Sequence, residues 1–207
     1  MKEEENNKEK RPLKVVLIGD SGIGKTCIMT RFTKNEFDTD IMPTITSQYI
    51  LKIIEFPDGK KVTFHFWDTA GQEKYHSLAK IFYKDADVVI LVYDITNLQS
   101  FKSMKDDWYK NVVDYGKKDV LFGVAANKSD LYEERKVDDD EGEKFAKSIG
   151  GIFMPTSAKN YTGITELFDA IGQKILNKDD FDFFTKEKKE TIKNLKESKN
   201  ESKSGCC

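Results

Sequence analysis

Apolar and polar positions along this chain switch repeatedly between two periods, and the switching outlines a fold. A short apolar run, Leu13 to Ile18, broken only by Lys14, predicts a first strand, and a helical pattern from Cys27 to about Thr33 follows it. Asn35 to Thr46 has no periodicity and holds Asp38, Asp40 and Pro43, which predicts a long functional loop. Two β-rich runs, Tyr49–Phe56 and Val62–Trp67, flank Pro57-Asp58-Gly59-Lys60, so a hairpin is expected there. A second loop starts at Asp68. Val88–Tyr93 and Val120–Ala126 are near-continuous apolar runs, as strands buried on both faces require. Ser100 to Tyr115 carries Phe101, Met104, Trp108, Val112 and Tyr115 at helical spacing, and Glu141–Ile149 reads as a helix stopped by Gly150 and Gly151. Ile152–Pro155 is a short last strand. The last helix spans Thr165–Leu176, with Leu167, Phe168, Ile171 and Ile175 on one face. Strands alternating with helices imply right-handed crossovers. The expected fold is α/β, a doubly wound, mostly parallel sheet with one antiparallel edge hairpin and its ligand loops at the strand carboxyl ends.

Length and charge narrow the class. A chain of 207 residues suits one domain with tails. Residues 1–11 are rich in Glu, Lys and Asn and are expected to form a disordered arm; residues 12–177 form the domain and 178–207 a flexible tail. A net charge of −2 leaves no footprint for nucleic acid. No apolar run approaches the roughly 18 residues of a membrane span. Met1-Lys2-Glu3-Glu4-Glu5 is expected to be neither a signal peptide nor a myristoylation site. Cysteines at 27, 206 and 207 form no disulfide framework or metal spacing, so a reduced, cytosolic compartment is expected. His65 and His76 have no partner pattern and read as packing or surface residues.

The chemistry begins at Gly19-Asp20-Ser21-Gly22-Ile23-Gly24-Lys25-Thr26, between the first strand and the first helix. Glycines let the backbone curl so that N–H groups point inward, and the helix N-terminus adds partial positive charge. Ser21, Gly22, Ile23, Gly24, Lys25, Thr26 and Cys27 are therefore the candidate phosphate contacts. Lys25 reaches terminal phosphates as a point charge and the Thr26 hydroxyl suits Mg²⁺. Asp68-Thr69-Ala70-Gly71-Gln72 suits the γ-phosphate end. There Asp68 supplies a carboxylate for Mg²⁺ through water, the Gly71 N–H approaches a phosphate oxygen, and Gln72 orients an attacking water. Asn127-Lys128-Ser129-Asp130 fixes the base, because a carboxylate accepting two N–H bonds matches guanine N1–H and its 2-amine, a pair adenine lacks. The Lys128 stem would lie over the purine, Asn127 would tie this loop to the phosphate loop, and Ser157-Ala158-Lys159 would place a backbone N–H on guanine O6.

With these motifs the chain from residue 13 to about 176 resembles a small GTPase of the Ras superfamily, most closely its Rab branch. LVYDIT at 91–96, Trp67 before DTAGQE, KYHSL at 74–78 and FYKDA at 82–86 are similar to that branch's segments. The resemblance implies a P-loop GTPase domain that hydrolyses GTP to GDP slowly as a molecular switch in vesicle traffic. It implies Thr44 as a further ligand of Mg²⁺ and Phe37 packed near base and ribose. It also implies Tyr49, Trp67 and Phe82 as an effector-facing aromatic triad, and geranylgeranyl groups on Cys206 and Cys207. The implied partners are an exchange factor, a GTPase-activating protein, a GDP-dissociation inhibitor, a prenylation escort and effectors. The implied location is the cytosol and the cytosolic face of an intracellular membrane.

The sequence departs from the branch in switch I, where Thr46 stands in place of the usual Gly and Ser47-Gln48-Tyr49 differs from Val-acidic-Phe. Asn177 to Ser204 mixes Lys with Asp and Glu and is no polybasic patch, which leaves membrane affinity to lipid at about 0.8 kcal/mol per buried CH₂. Phe181, Phe183 and Phe184 form an apolar cluster suited to docking, on the domain itself or on an escort or extraction partner. A nucleotide-locked pseudo-GTPase scaffold is the alternative function; intact Lys25, Thr26, Thr44, Asp68, Gly71 and Gln72 oppose it.

Overall fold

The computed structural model describes residues 11–38, 48–68 and 76–177; Gln48, Asp68 and residues 76–79 are described by their backbone alone. The sequence folds in the order β1 (Leu13–Ile18), α1 (Lys25–Lys34), β2 (Gln48–Glu55), β3 (Lys61–Asp68), α2 (His76–Tyr83) and β4 (Val88–Asp94). Next come α3 (Leu98–Ser103), a π-helical stretch (Met104–Tyr109), α4 (Lys110–Tyr115), β5 (Leu121–Asn127) and a 3₁₀ stretch (Ser129–Glu134). α5 (Asp139–Ser148) and β6 (Ile152–Pro155) follow. Helix α6 covers residues 164–177. The chain divides into two compact units, Met1–Ile171, which holds the whole sheet, and Gly172–Cys207, whose described part continues α6.

The six strands lie in the order β2-β3-β1-β4-β5-β6. β2 and β3 pair antiparallel, and every other neighbour pair is parallel. This is the doubly wound, mostly parallel sheet with one antiparallel edge hairpin that the alternating pattern implied. β4 lies at the sheet's middle and is buried at every position, which is why its sequence is apolar from Val88 to Tyr93. On one face of the sheet Trp108, Met104, Phe101 and Tyr93 belong to a continuous core. Aromatic packing joins Phe32 of α1 to Phe66 of β3 and Phe168 of α6, with ring centroids 5.7 and 4.2 Å from Phe32.

Several boundaries differ from the periodic reading, each for a local reason. The helix expected to start at Ser100 starts at Leu98, because the Asn97 side chain accepts from the N–H groups of Gln99 and Ser100 and caps it. Its middle is wound as a π-helix, although Phe101, Met104, Trp108 and Val112 are buried along its length. Tyr115, expected on the buried stripe, is 49 % exposed, and the Lys80 ammonium sits 3.5 Å from its ring centroid. α5 begins at Asp139 and ends at Ser148, with Asp139, Asp140 and Glu141 in its first turn, where negative charge favours the helix dipole. Helix α2 and the 3₁₀ stretch add to the elements that the periodicity predicts. His65 packs between Tyr49 and Trp67, at centroid distances of 5.3 and 5.1 Å.

Candidate functional site

Strand β1 delivers the chain at Ile18 into a loop that closes on α1. Two glycines of that loop are demanded by close approach as well as by conformation. Gly19 has φ 145°, and a Cβ there would lie 2.4 Å from the Val92 carbonyl oxygen. Gly24, at the helix N-cap with φ 94°, would bring a Cβ to 2.4 Å from Asn127 Nδ2. The first turn of α1 has no acidic residue and its N-cap makes no side-chain bond, so no carboxylate offsets the positive end of the helix there. Lys25 is buried, and its Nζ donates to the carbonyls of Gly19 at 2.9 Å and Asp20 at 2.8 Å. Ser21 and Gly22 are exposed, Ile23 is buried, and Thr26 and Cys27 are half-buried. A curled backbone, a lysine drawn in over it and an uncapped helix start form a donor set that fits a polyphosphate.

The second half of the site hangs on β4, β5 and the turn after β6. Asn127, at the end of β5, is buried and donates through Nδ2 to the Ile23 carbonyl at 2.7 Å. This bond is the tie between the two loops that the sequence implied. Asn127 Oδ1 accepts from the Thr156 hydroxyl at 3.3 Å, and the Ser129 N–H donates to the Thr156 carbonyl at 3.0 Å. The Ser157 hydroxyl donates to Asp130 Oδ1 at 2.5 Å, and its oxygen accepts the Asn160 N–H at 3.0 Å. Ala158 is buried and Lys159 exposed. Asp130 and Ser157 are thus brought together.

Three contacts bring in Asp94, Asp20 and Arg31, which the sequence did not single out as site residues. Lys128 adopts a left-handed backbone, φ 63°, and its Nζ pairs with Asp94 Oδ2 at 2.7 Å. Burial pushes the Asp94 carboxyl up, but Lys128 and two bonds from Thr96 outweigh it and hold it below the usual range. Trp108 Nε1 donates to Asp20 Oδ1 at 2.9 Å. Arg31 donates to the Lys159 carbonyl at 3.1 Å and sits 6.0 Å from the ring centroid of half-buried Phe37 and 5.2 Å from that of Tyr161. No periodicity exposes such contacts, because the partners lie far apart in the chain.

Of the aromatic triad, Tyr49 and Trp67 face each other in the β2–β3 register, with centroids 6.1 Å apart. Tyr49 is 69 % exposed, while Trp67 and Phe82 are half-buried against the core. Thr44, Gly71, Gln72, Cys206, Cys207 and the Phe181–Phe184 cluster lie outside the described residues, as does the Asp68 side chain.

A family model described as "Ras family" matches residues 14–177. The chain is 42 % identical over 166 residues to "Ras-related protein Rab-31" of Mus musculus, covering 80 % of this chain and 84 % of that protein. The chain is a Rab-family small GTPase. It is also 39 % identical over 165 residues to "Ras-related protein Rab-8B" of Homo sapiens, covering 80 % of this chain and 79 % of that one. Similarity to "Ras-related protein Rab-10" of Caenorhabditis elegans is 37 % over 194 residues, 94 % of this chain and 95 % of the relative. Membership makes this Rab a guanine-nucleotide-binding, GTP-hydrolysing switch of membrane traffic. Among the described residues no helix is long and apolar enough to cross a membrane.

Proposed function

We propose that this Rab cycles between a GTP form that recruits effectors on a membrane and a GDP form that is withdrawn from it. The observation that carries the reading is the Asn127–Ile23 bond, 2.7 Å, which locks a base-reading loop onto a phosphate-binding loop. Residues 12–177 are the GTPase domain, 1–11 an arm and 178–207 a tail that places lipid on Cys206 and Cys207. Ser21 to Cys27 cradle the phosphates with backbone N–H groups, and Lys25 leaves its loop carbonyls to meet the terminal phosphates. Asp130 accepts guanine N1–H and the 2-amine, Ala158 offers its N–H to O6, and Phe37 covers the ribose side. Thr26, Thr44 and Asp68 would hold Mg²⁺, which when bound neutralises charge on the phosphate oxygens. Gly71 donates its N–H to the γ-phosphate and Gln72 orients the attacking water. An arrangement built only of positioning groups hydrolyses slowly, at about 10⁻⁴ s⁻¹, and a GTPase-activating protein raises that by up to about 10⁵-fold.

Tyr49, Trp67 and Phe82 form the surface that effectors read. An exchange factor reloads the site, while a GDP-dissociation inhibitor and a prenylation escort handle the lipidated tail. The test is the nucleotide that co-purifies with unprenylated protein, followed by single-turnover hydrolysis with and without Mg²⁺. Guanine nucleotide with slow, Mg²⁺-dependent turnover supports the switch. Bound GTP that never turns over replaces it with a pseudo-GTPase scaffold.

A further inference from the structure

Lys128 is held at both ends, and what holds its far end is a carboxylate fixed by its own neighbours. Asp94 closes β4 directly beside Asn127 in the β4–β5 register. Its Oδ1 accepts the Thr96 N–H and the Thr96 hydroxyl, both at 2.8 Å. Its backbone N–H donates to Ser100 Oγ at 3.1 Å, and that hydroxyl oxygen sits 2.7 Å from the Asn97 carbonyl to which it donates. With Oδ1 committed twice, the carboxylate plane is set and Oδ2 is presented in one direction. Lys128 Nζ meets it there at 2.7 Å. At its near end Lys128 has a left-handed backbone, and its carbonyl accepts the Leu131 N–H at 2.9 Å. The four-carbon stem therefore spans two fixed points.

We propose that Asp94 is a positioning residue for the purine: by anchoring the Lys128 ammonium it fixes the lysine stem as one wall of the base slot. The inference rests on the nucleotide site described under the proposed function and adds the residue that shapes it. A lysine stem without an anchor samples many rotamers, and a base entering the slot must then order it. An anchored stem is ordered beforehand. Asp94 reads no edge of the base, so it tightens every purine alike, whereas Asp130 discriminates among them. The competing role for the pair is a strap between the ends of β4 and β5 that only adds stability.

The test is release of a fluorescent GDP and of the matching inosine diphosphate, which lacks the 2-amino group, from the full-length protein. Asp94→Asn is expected to speed both releases by about tenfold, the scale of one partly exposed charge-assisted bond, with their ratio unchanged. Thr96→Ala leaves the charge and the backbone N–H bond but removes one of the two bonds that hold Oδ1, and gives a smaller acceleration of both; this variant serves if Asp94→Asn folds poorly. In a Lys128→Met background, which keeps an apolar stem and removes the ammonium, Asp94→Asn adds no further acceleration. Unchanged release from folded Asp94→Asn, or an undiminished effect without the lysine ammonium, overturns the proposal and leaves the strap. A wild-type protein that retains no guanine nucleotide overturns the switch reading itself, and this inference with it.

Discussion

Trp108 donates its indole N–H to the carboxylate of Asp20 at 2.9 Å, joining a π-helical turn to the phosphate loop across 88 residues of sequence. Trp108 is 2 % exposed and Asp20 half-buried, so water competes for this bond only from the Asp20 side. Trp108→Phe keeps most of the packing and removes the donor, and is expected to cost about 2 kcal/mol of stability, since bonds to charged groups contribute that much. GDP release should quicken with it. Asp20→Asn retains an acceptor oxygen and should lose less than about 1 kcal/mol. Thermal unfolding of the GDP complexes, paired with release kinetics, checks both.

Gly24 and Asn127 are in each other's way for any larger residue. Gly24→Ala forces a left-handed alanine and pushes Asn127 Nδ2 off the Ile23 carbonyl. The combined cost is about 2–3 kcal/mol, a weakening of GDP affinity by about 30- to 150-fold. Because both changes break one contact, Gly24→Ala and Asn127→Ala together should lose less than the sum of the two. Equilibrium titration of the four proteins reads the coupling.

Asp87 gathers Arg11 at 2.7 Å, Lys117 at 2.7 Å and the backbone N–H of Lys14 at 2.9 Å. Burial pushes its carboxyl up, but these partners outweigh it and hold it at about 2. A folded value below the unfolded one gives stability that is complete above about pH 4–5 and is lost as pH falls toward 2. Asp87→Asn should be less stable by on the order of 1–2 kcal/mol at pH 7, and the gap should close on acidification. Denaturant unfolding at stepped pH measures it; a constant gap down to pH 2 would refute the linkage.

The proposed hydrolysis makes its own demands. Gln72→Leu should slow single-turnover GTP cleavage by about tenfold or more while leaving GDP affinity near the wild-type value. Thr26→Asn should shift the protein toward GDP and lower its affinity for GTP with Mg²⁺. Normal turnover in both variants removes these residues from the mechanism.

Much of this was legible in the sequence because the physics concerned was local. β4 and β5 are buried on both faces, so they had to be apolar up to the polar residue that ends each, Asp94 and Asn127. The loop glycines, Lys25 and Asn127 are each required by backbone curl or by a specific bond, and they recur as a spaced pattern. Asp94 stood inside LVYDIT, yet nothing in that segment shows that its carboxylate receives Lys128 34 residues later. Likewise Asp20, Trp108 and Arg31 acquire their roles only when distant elements meet. Tyr115 fitted the helical stripe but lies past the point where α4 covers the core, so its ring faces Lys80 instead.

The strand order carries a consequence for how the protein is made. β1 sits inside the sheet, and the ribosome adds strands first on one side of it, β3 and β2, then on the other, β4, β5 and β6. The phosphate loop emerges with β1, the base-reading loop only after β5, and Ser157, which holds Asp130, after β6. For most of its synthesis the nascent chain therefore owns half a site, with parallel strands whose partners are still to come, the arrangement that folds slowly. Nucleotide capture belongs to the end of translation. A nucleotide that binds only the completed site would then add its binding energy to the stability of a chain whose loops have already met.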